Sequence, residues 1–289
     1  MAINLRKEYV HELDKVLCAE AKSNILSGRT DLVREGANAN EILIPKLTVG
    51  KMKDYDKSNG WLAATPSVEW ETVKADYDRG QKVPIDAVDN IETANLLYAQ
   101  YASEFIRTEA APELDAYRFA KYAGTSNIGT TDAAALDTGA KVIAALRAAI
   151  DGMNDEGVNN DKVLFISYPC LGLIEDMDSY KSKAVMDNFT DIIGVPQNRF
   201  YTAIDLLDGT TEGETSGGYA KASGAKNINF LIVSKSAVTQ FDKHVQTDIY
   251  SSKDGYIGFD GFLYTYRLVT VARVLDNHVK GVYLHKSTT

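Results

Sequence analysis

Residues 89–123 carry the strongest secondary-structure signal in the chain, and it limits what the rest can build. Ala94, Tyr98, Tyr101, Phe105, Pro112, Ala116 and Phe119 fall along one stripe, the stepping of an amphipathic helix. Asp89 is placed to cap its start, with Glu92 three residues later as in a capping box. At 1.5 Å per residue this helix would span roughly 50 Å, long for a globular domain. Pro112 has no backbone N–H, so it is expected to kink the rod or split it in two. The polar face carries Glu92, Glu104, Arg107 and Glu113, which ordinary solvation also explains. A rod of this length joins distant parts of a molecule.

What precedes the rod has the composition of a β-hairpin. Residues 41–86 are rich in Val, Ile, Thr, Tyr and Trp, with turn signals at 54–60 and 65–67. Strands are expected near 42–52 and 68–85, with a wide tip between them. Apolar residues fall on both faces and Lys and Asp fill the gaps, so the hairpin cannot bury itself and must lie on a partner surface, in this chain or another. The only two tryptophans, Trp61 and Trp70, both fall here. They read either as a minor local cluster or, with Tyr55, as anchors of a subunit contact, where Trp is enriched. Residues 3–27 read as an amphipathic helix, with Ile3, Val10, Leu13, Leu17, Ala21 and Ile25 on one face and Gly28 as its C-cap. Residues 28–40 are polar and offer it no partner. It is either a docking arm or a first helix packed on its own domain.

Downstream, helices alternate with buried strands, which gives an α/β sheet unit. A linker at 124–131 leads to a helix at 132–154, a buried strand at 163–167 and helices at 169–177 and about 180–190. A strand at 199–206 follows. Residues 208–227 are Gly-, Ser- and Thr-rich and read as a mobile loop or loose hairpin. A second buried strand at 229–233 precedes a short helix at 234–242. The rest is β: strands at 245–250 and 262–275, a turn at 253–255 and another at 276–277, then a strand at 279–285. The whole is α+β, without internal repeats.

Composition narrows function mostly by exclusion. The 289 residues fit two domains or one large one. Forty Asp and Glu against 31 Lys and Arg leave a net charge of −9, which argues against a nucleic-acid reader with a basic face. Cys18 and Cys170 form neither a metal pattern nor a disulfide framework. No histidine pair has metal-ligand spacing, and no nucleophile elbow, phosphate loop, zinc-protease or calcium-loop motif occurs. Asp76 and Asp78 share a strand face while Arg79 points the other way. The start, MAINLRKEYVHELDKVL, lacks a signal-peptide core, and no window approaches about 18 apolar residues. The expectation is a soluble protein of a reducing cytoplasm, with no catalytic residues, no cofactor and no metal.

Five segments in order then give a resemblance: WET at 70–72, DYDRG at 76–80, DNIET at 89–93, EFIRT at 104–108 and PELDAYRFAK at 112–121. Together they resemble the major capsid proteins of tailed bacteriophages, closest to those of phages and prophages of Gram-positive bacteria. RFYTAIDLLDG and the ending VKGVYLHK are similar to the same family, so the resemblance runs from about residue 1 to 286. It implies a Hong Kong 97-like capsid fold. Residues 1–40 would be the N-terminal arm, 41–86 the extended β-hairpin E-loop and 87–125 the spine helix of the P-domain. Residues 126–245 would form the α/β A-domain, 246–276 the P-domain strands, and 277–289 a C-terminal strand and tail.

The resemblance further implies a protein without enzyme activity. Its partners would be copies of itself in pentamers and hexamers, a separate scaffolding protein, a portal and a possible decoration protein. The shell would enclose dsDNA without sequence-specific binding, would not involve a membrane, and would be assembled in the host bacterial cytoplasm. Candidate interface residues are Ile3, Val10 and Leu13 in the arm and Tyr55, Trp61 and Trp70 in the E-loop. Asp78 and Arg79 of the second motif and Glu104 and Arg107 of the fourth complete the set. Lys46, Lys51, Lys53, Lys57 and Lys74 lie in the E-loop, but no motif singles one out for a covalent crosslink. An encapsulin-type nanocompartment shell is the alternative of the same fold. An α/β hydrolase-like enzyme is the distant alternative from another class.

Overall fold

The computed structural model describes residues 16–17, 20–28, 34–35, 41–55, 57, 61, 65, 67–87, 96–131, 133–158, 161–177, 180–251 and 258–288. Ile3, Val10, Leu13, Asp89, Glu92, Ala94, Cys18 and the turn at 253–255 lie outside them. Lys22–Leu26 is a 3-10 helix that follows an extended Ala21 and ends at Ser27, so the expected α-helix does not run on to Gly28. The cause is a distant carboxylate: Asp115 accepts the backbone N–H groups of Lys22 and Ser23, both at 2.9 Å. Leu17, Ala21 and Leu26 are buried in the main core. Here the segment packs on its own subunit.

The hairpin strands are β2 (Glu41–Thr48) and β3 (Ser67–Lys74), with β1 (Arg34–Glu35) beside β2. The single strand expected over 68–85 is instead two, because β4 (Tyr77–Asp86) belongs to another sheet. Asp76 explains the break, since its carboxylate takes the Tyr117 hydroxyl and the Lys121 ammonium and leaves the ladder. The rod comprises α1 (Leu96–Phe105), a π-helical turn Ile106–Ala110 and α2 (Ala111–Ala123). Helical structure runs on through Pro112, so the rod is not split there. The π turn just before it, with the Ala111 N–H reaching back to the Ile106 carbonyl, makes room for a residue that lacks its own N–H.

Within the expected linker, Gly129–Thr131 forms β5, whose partner comes from the far C-terminus. A Cβ at Gly129 would lie 2.6 Å from the Tyr283 ring, so this pairing needs glycine. Helix α3 (Gly139–Asp155) starts later than expected, at an N-cap where Thr138 accepts from the Lys141 N–H. Strand β6 (Lys162–Ser167), α4 (Tyr168–Glu175) and α5 (Tyr180–Met186) follow as expected. Strand β7 (Asp191–Val195) was not anticipated; it is a short edge strand whose Gly194 lies under the Tyr168 ring. The strand expected at 199–206 shrinks to β8 (Ile204–Leu206), paired with β9 (Tyr219–Lys221). The Gly-rich segment is therefore a hairpin.

Strand β10 (Ile228–Ser234) leads directly into β11 (Val238–Ser251), and no helix forms at 234–242. Val238–Phe241 pair with Val274–Val271 of β12 (Gly261–Val274), which claims those residues for a ladder. A 3-10 stretch, Asp276–Gly281, replaces the expected turn and delivers β13 (Val282–Lys286) to a different sheet from β12. One sheet is ordered β5-β13-β10-β6-β7 and another β11-β12-β4. Strands β6 and β10 are buried throughout, and their alternate residues serve two cores. Val163, Phe165, Leu231 and Val233 belong to the main core that also holds α2, with Phe165 edge to face on Phe119, while Leu164, Ile166, Phe230 and Ile232 belong to a second core with residues of α3, α4 and α5.

Candidate subunit interface

The hairpin register decides which side chains the subunit leaves bare. Ile42 pairs with Val73 and Ile44 with Glu71, while Pro45 pairs with Trp70 and Leu47 with Val68. Ile42, Ile44 and Val73 share the inner face and are buried against Val271. The paired strands are tied down along their length by Glu71 with Arg273, Lys46 with Asp276 at 3.2 Å, and the Asn277 amide donating to the Leu47 carbonyl at 2.9 Å. The outer face is different. Leu47, Val68 and Trp70 are exposed there, and the Arg34 guanidinium stacks 4.6 Å over the Trp70 ring. Farther out Val49, Met52, Tyr55 and Trp61 are exposed, Trp61 at 88%. Tyr55 and Trp61 form an edge-to-face pair with centroids 4.9 Å apart. Of the large hydrophobic residues exposed among the described residues, these seven form the main concentration.

The other candidates have partners within the chain. Arg79 Nε donates to Glu113 at 2.8 Å, and its two terminal nitrogens donate to the Leu207 and Gly218 carbonyls at 2.7 and 3.0 Å. Tyr77 donates to the same Glu113 oxygen at 3.0 Å; burial and that carboxylate push its pKa up, so it stays a donor. Arg79 thus joins β4 to α2 and to the β8–β9 hairpin. Asp78 points the other way into the fork of Arg267, at 2.8 and 2.6 Å, and the guanidinium holds its carboxyl below the usual range. Arg107 meets Glu20 at 3.2 Å and Glu104 at 3.6 Å on an exposed surface, where such pairs contribute about 0–1 kcal/mol.

Sequence reasoning missed two residues that organise this region. Asp115 and Arg118 have no exposed surface. Asp115 also accepts from the Ser23 hydroxyl at 2.7 Å and from Arg199 at 3.1 Å. Arg118 reaches Asp242 at 2.6 Å and Thr270 at 3.1 Å. Nearby, Tyr122 donates to Gln240, which donates in turn to the Ser23 carbonyl. The signal was present: two opposite charges three apart in the otherwise apolar middle of α2.

Between β4, the π turn and the β8–β9 hairpin lies a cavity of about 490 Å³. Tyr101, Phe105 and Tyr266 line its floor, with Glu109, Asp208 and Ser216 towards its rim. Among the described residues, no three His, Cys, Asp or Glu side chains are gathered to hold a metal ion, and no helix is long and apolar enough to cross a membrane.

No protein-family model matches the sequence, and no curated protein matches it. Solved structures do. A chain from Gordonia phage Cozz is 12% identical, with 93% of this chain and 87% of that one covered at a TM-score of 0.59. The capsid structure of cyanophage P-SCSP1u gives 13% identity, coverage of 89% and 86%, and a TM-score of 0.57. This chain has a Hong Kong 97-like capsid fold. The virus-like particle from Pyrococcus furiosus matches at 9% identity, covering 96% of this chain and 99% of that one with a TM-score of 0.53. The capsid fold is thus retained along nearly the whole chain while sequence identity is low. Among the described residues, the hairpin carries the main concentration of apolar side chains left exposed on this subunit.

Proposed function

We propose that the chain is a structural major capsid protein, assembling as pentamers and hexamers into the icosahedral head that encloses a phage dsDNA genome. The observation that carries this is the hairpin: its inner face packs at the root, and its outer face and tip present Leu47, Val68, Trp70, Tyr55 and Trp61 to solvent. A subunit of capsid fold with such an arm is completed by a neighbour. In this reading residues 1–40 are the arm and the E-loop starts at 41, and it ends near Lys74 instead of at 86 because β4 pairs in another sheet. Tyr77–Asp86 then joins the spine helix and the long strands β11 and β12 in the P-domain, and the five-stranded sheet with its helices forms the A-domain. Partners are other copies, a separate scaffolding protein, a portal and a decoration protein, and assembly takes place in the host cytoplasm. Apolar burial at about 25 cal/mol per Å² accumulates over many such contacts.

Size-exclusion chromatography with negative-stain microscopy of the purified protein tests the proposal. Rings or closed shells are expected; a strictly monomeric protein under all conditions refutes it. Replacing Trp61 and Trp70 together by Ala should abolish particles and leave the melting of the free subunit within about 1 kcal/mol of wild type, since neither is in a core. The alternative is a nanocompartment shell, favoured by the length match to the virus-like particle. It predicts particles that carry protein cargo and no nucleic acid.

A further inference from the structure

The geometry points to the 490 Å³ cavity as the receptor for the hairpin tip of a neighbouring copy, with the Tyr55–Trp61 pair as the inserted group. The inference rests on the shell reading above and names the surface on which the hairpin docks. Four observations carry it. The first is supply: the tip presents two aromatic rings already packed edge to face, Trp61 being 88% exposed. An aromatic anchor seated in a pocket is the usual core of a strong contact.

The second is the receptor. The cavity falls in the roughly 300–1,000 Å³ range of binding pockets, and its floor is aromatic. Phe105 meets Tyr266 edge to face at 5.5 Å, and Tyr101 stacks on Phe105 at 6.3 Å. Its walls are held in place by Arg79, whose three hydrogen bonds lock the β8–β9 hairpin against β4 and α2. An incoming side chain therefore meets a preformed site.

The third is charge. The carboxylates of Glu109, Glu113 and Asp208 line the cavity against the cation Arg79, while that of Asp78 is turned away to Arg267. Residues 50–61 carry Lys51, Lys53 and Lys57 against Asp54 and Asp56, so a tip with a net positive charge meets an acidic mouth.

The fourth is reach. The cavity adjoins the start of β4, three residues after β3 ends at Lys74, whereas the tip lies beyond Ser67 at the opposite end of β3. Eight strand residues separate those ends by about 23 Å. A subunit cannot fill its own cavity, so the contact passes from each copy to the next. Passed head to tail, such a contact is heterologous, and it builds a ring where the rotation between copies closes.

The test uses the full chain carrying Lys57→Cys at the exposed tip, which keeps the Tyr55–Trp61 pair, and Ser216→Cys at the cavity, with each single variant as control. Oxidised particles of the double variant should give a ladder of linked subunits on a non-reducing gel, and the unassembled subunit should give none. Ser216→Trp, which fills the mouth of the cavity, should remove the particle peak and leave the circular-dichroism melt of the free subunit unchanged. Particles that form normally with Ser216→Trp, and a double variant that stays monomeric on the gel, would overturn this docking site and leave the shell reading standing. A wild-type protein that never assembles overturns both.

Discussion

Asp115 has no exposed surface and accepts four hydrogen bonds, from the Lys22 and Ser23 N–H groups, the Ser23 hydroxyl and Arg199. Removing one partner of a buried ionic network costs about 3–5 kcal/mol, because the remaining charges stay buried. Asp115→Ala should lower urea stability of the free subunit by that amount, and limited proteolysis should then cut near Lys22. His285 carries a pH dependence. It is buried against Phe230 with Nδ1 3.1 Å from the Asn229 amide, and burial pulls its pKa down. The unfolded chain binds a proton near pH 6.5 while the folded chain resists it, so stability is lost as pH falls below about 6.5. His285→Gln should flatten the stability slope between about pH 5 and 6.5, measured by urea melts. Asp115 was visible in the sequence only as a charge in the apolar middle of α2, and the role of His285 was not legible at all. The exposure of Trp61 and Trp70 was legible, because a hairpin of poor core signal has nothing of its own to cover large apolar side chains. Arg79 was singled out without its role, since its three acceptors come from segments 34, 128 and 139 positions away.

The hairpin contains both tryptophans, which makes it optically separable from the rest of the fold. In the free subunit Trp61 and Trp70 are 88% and 42% exposed, so emission should already be red-shifted, most strongly from Trp61. Urea should then unfold the cores, seen by far-UV circular dichroism, with little further change in fluorescence. Assembly should instead shift emission to the blue as the rings are covered. Emission that is blue in the free subunit and red-shifts together with the circular-dichroism transition would refute a bare hairpin. At this scale the long or strongly periodic elements were legible: the rod, β6, β10 and β12. What was not legible depends on distant contacts. The β3–β4 break is made by Tyr117 and Lys121, 41 and 45 residues from Asp76. Strands β5 and β7 are short edges whose pairing is supplied by β13 and β6. The helix expected at 234–242 yielded to a ladder with β12.

Over the whole molecule, each subunit would bring a net charge of −9 to the proposed assembly of identical copies. Adding like-charged subunits costs repulsion that accumulates with every copy and reaches as far as the Debye length, about 30 Å at 0.01 M salt and about 8 Å at 0.15 M. In the proposed shell the opposing contact is apolar burial at the hairpin, which salt does not screen. The long-range repulsion is therefore the more salt-sensitive term. Raising salt from about 10 to about 150 mM should increase the assembled fraction at fixed protein concentration, followed by light scattering. Assembly that falls with salt over that range would mean that exposed ion pairs, not apolar anchors, hold the copies together. The same charge bears on what a shell could contain. An acidic inner wall would repel a polyanion weakly and evenly, so a genome could slide against it during filling without being gripped, whereas a strongly basic inner surface would contradict that behaviour.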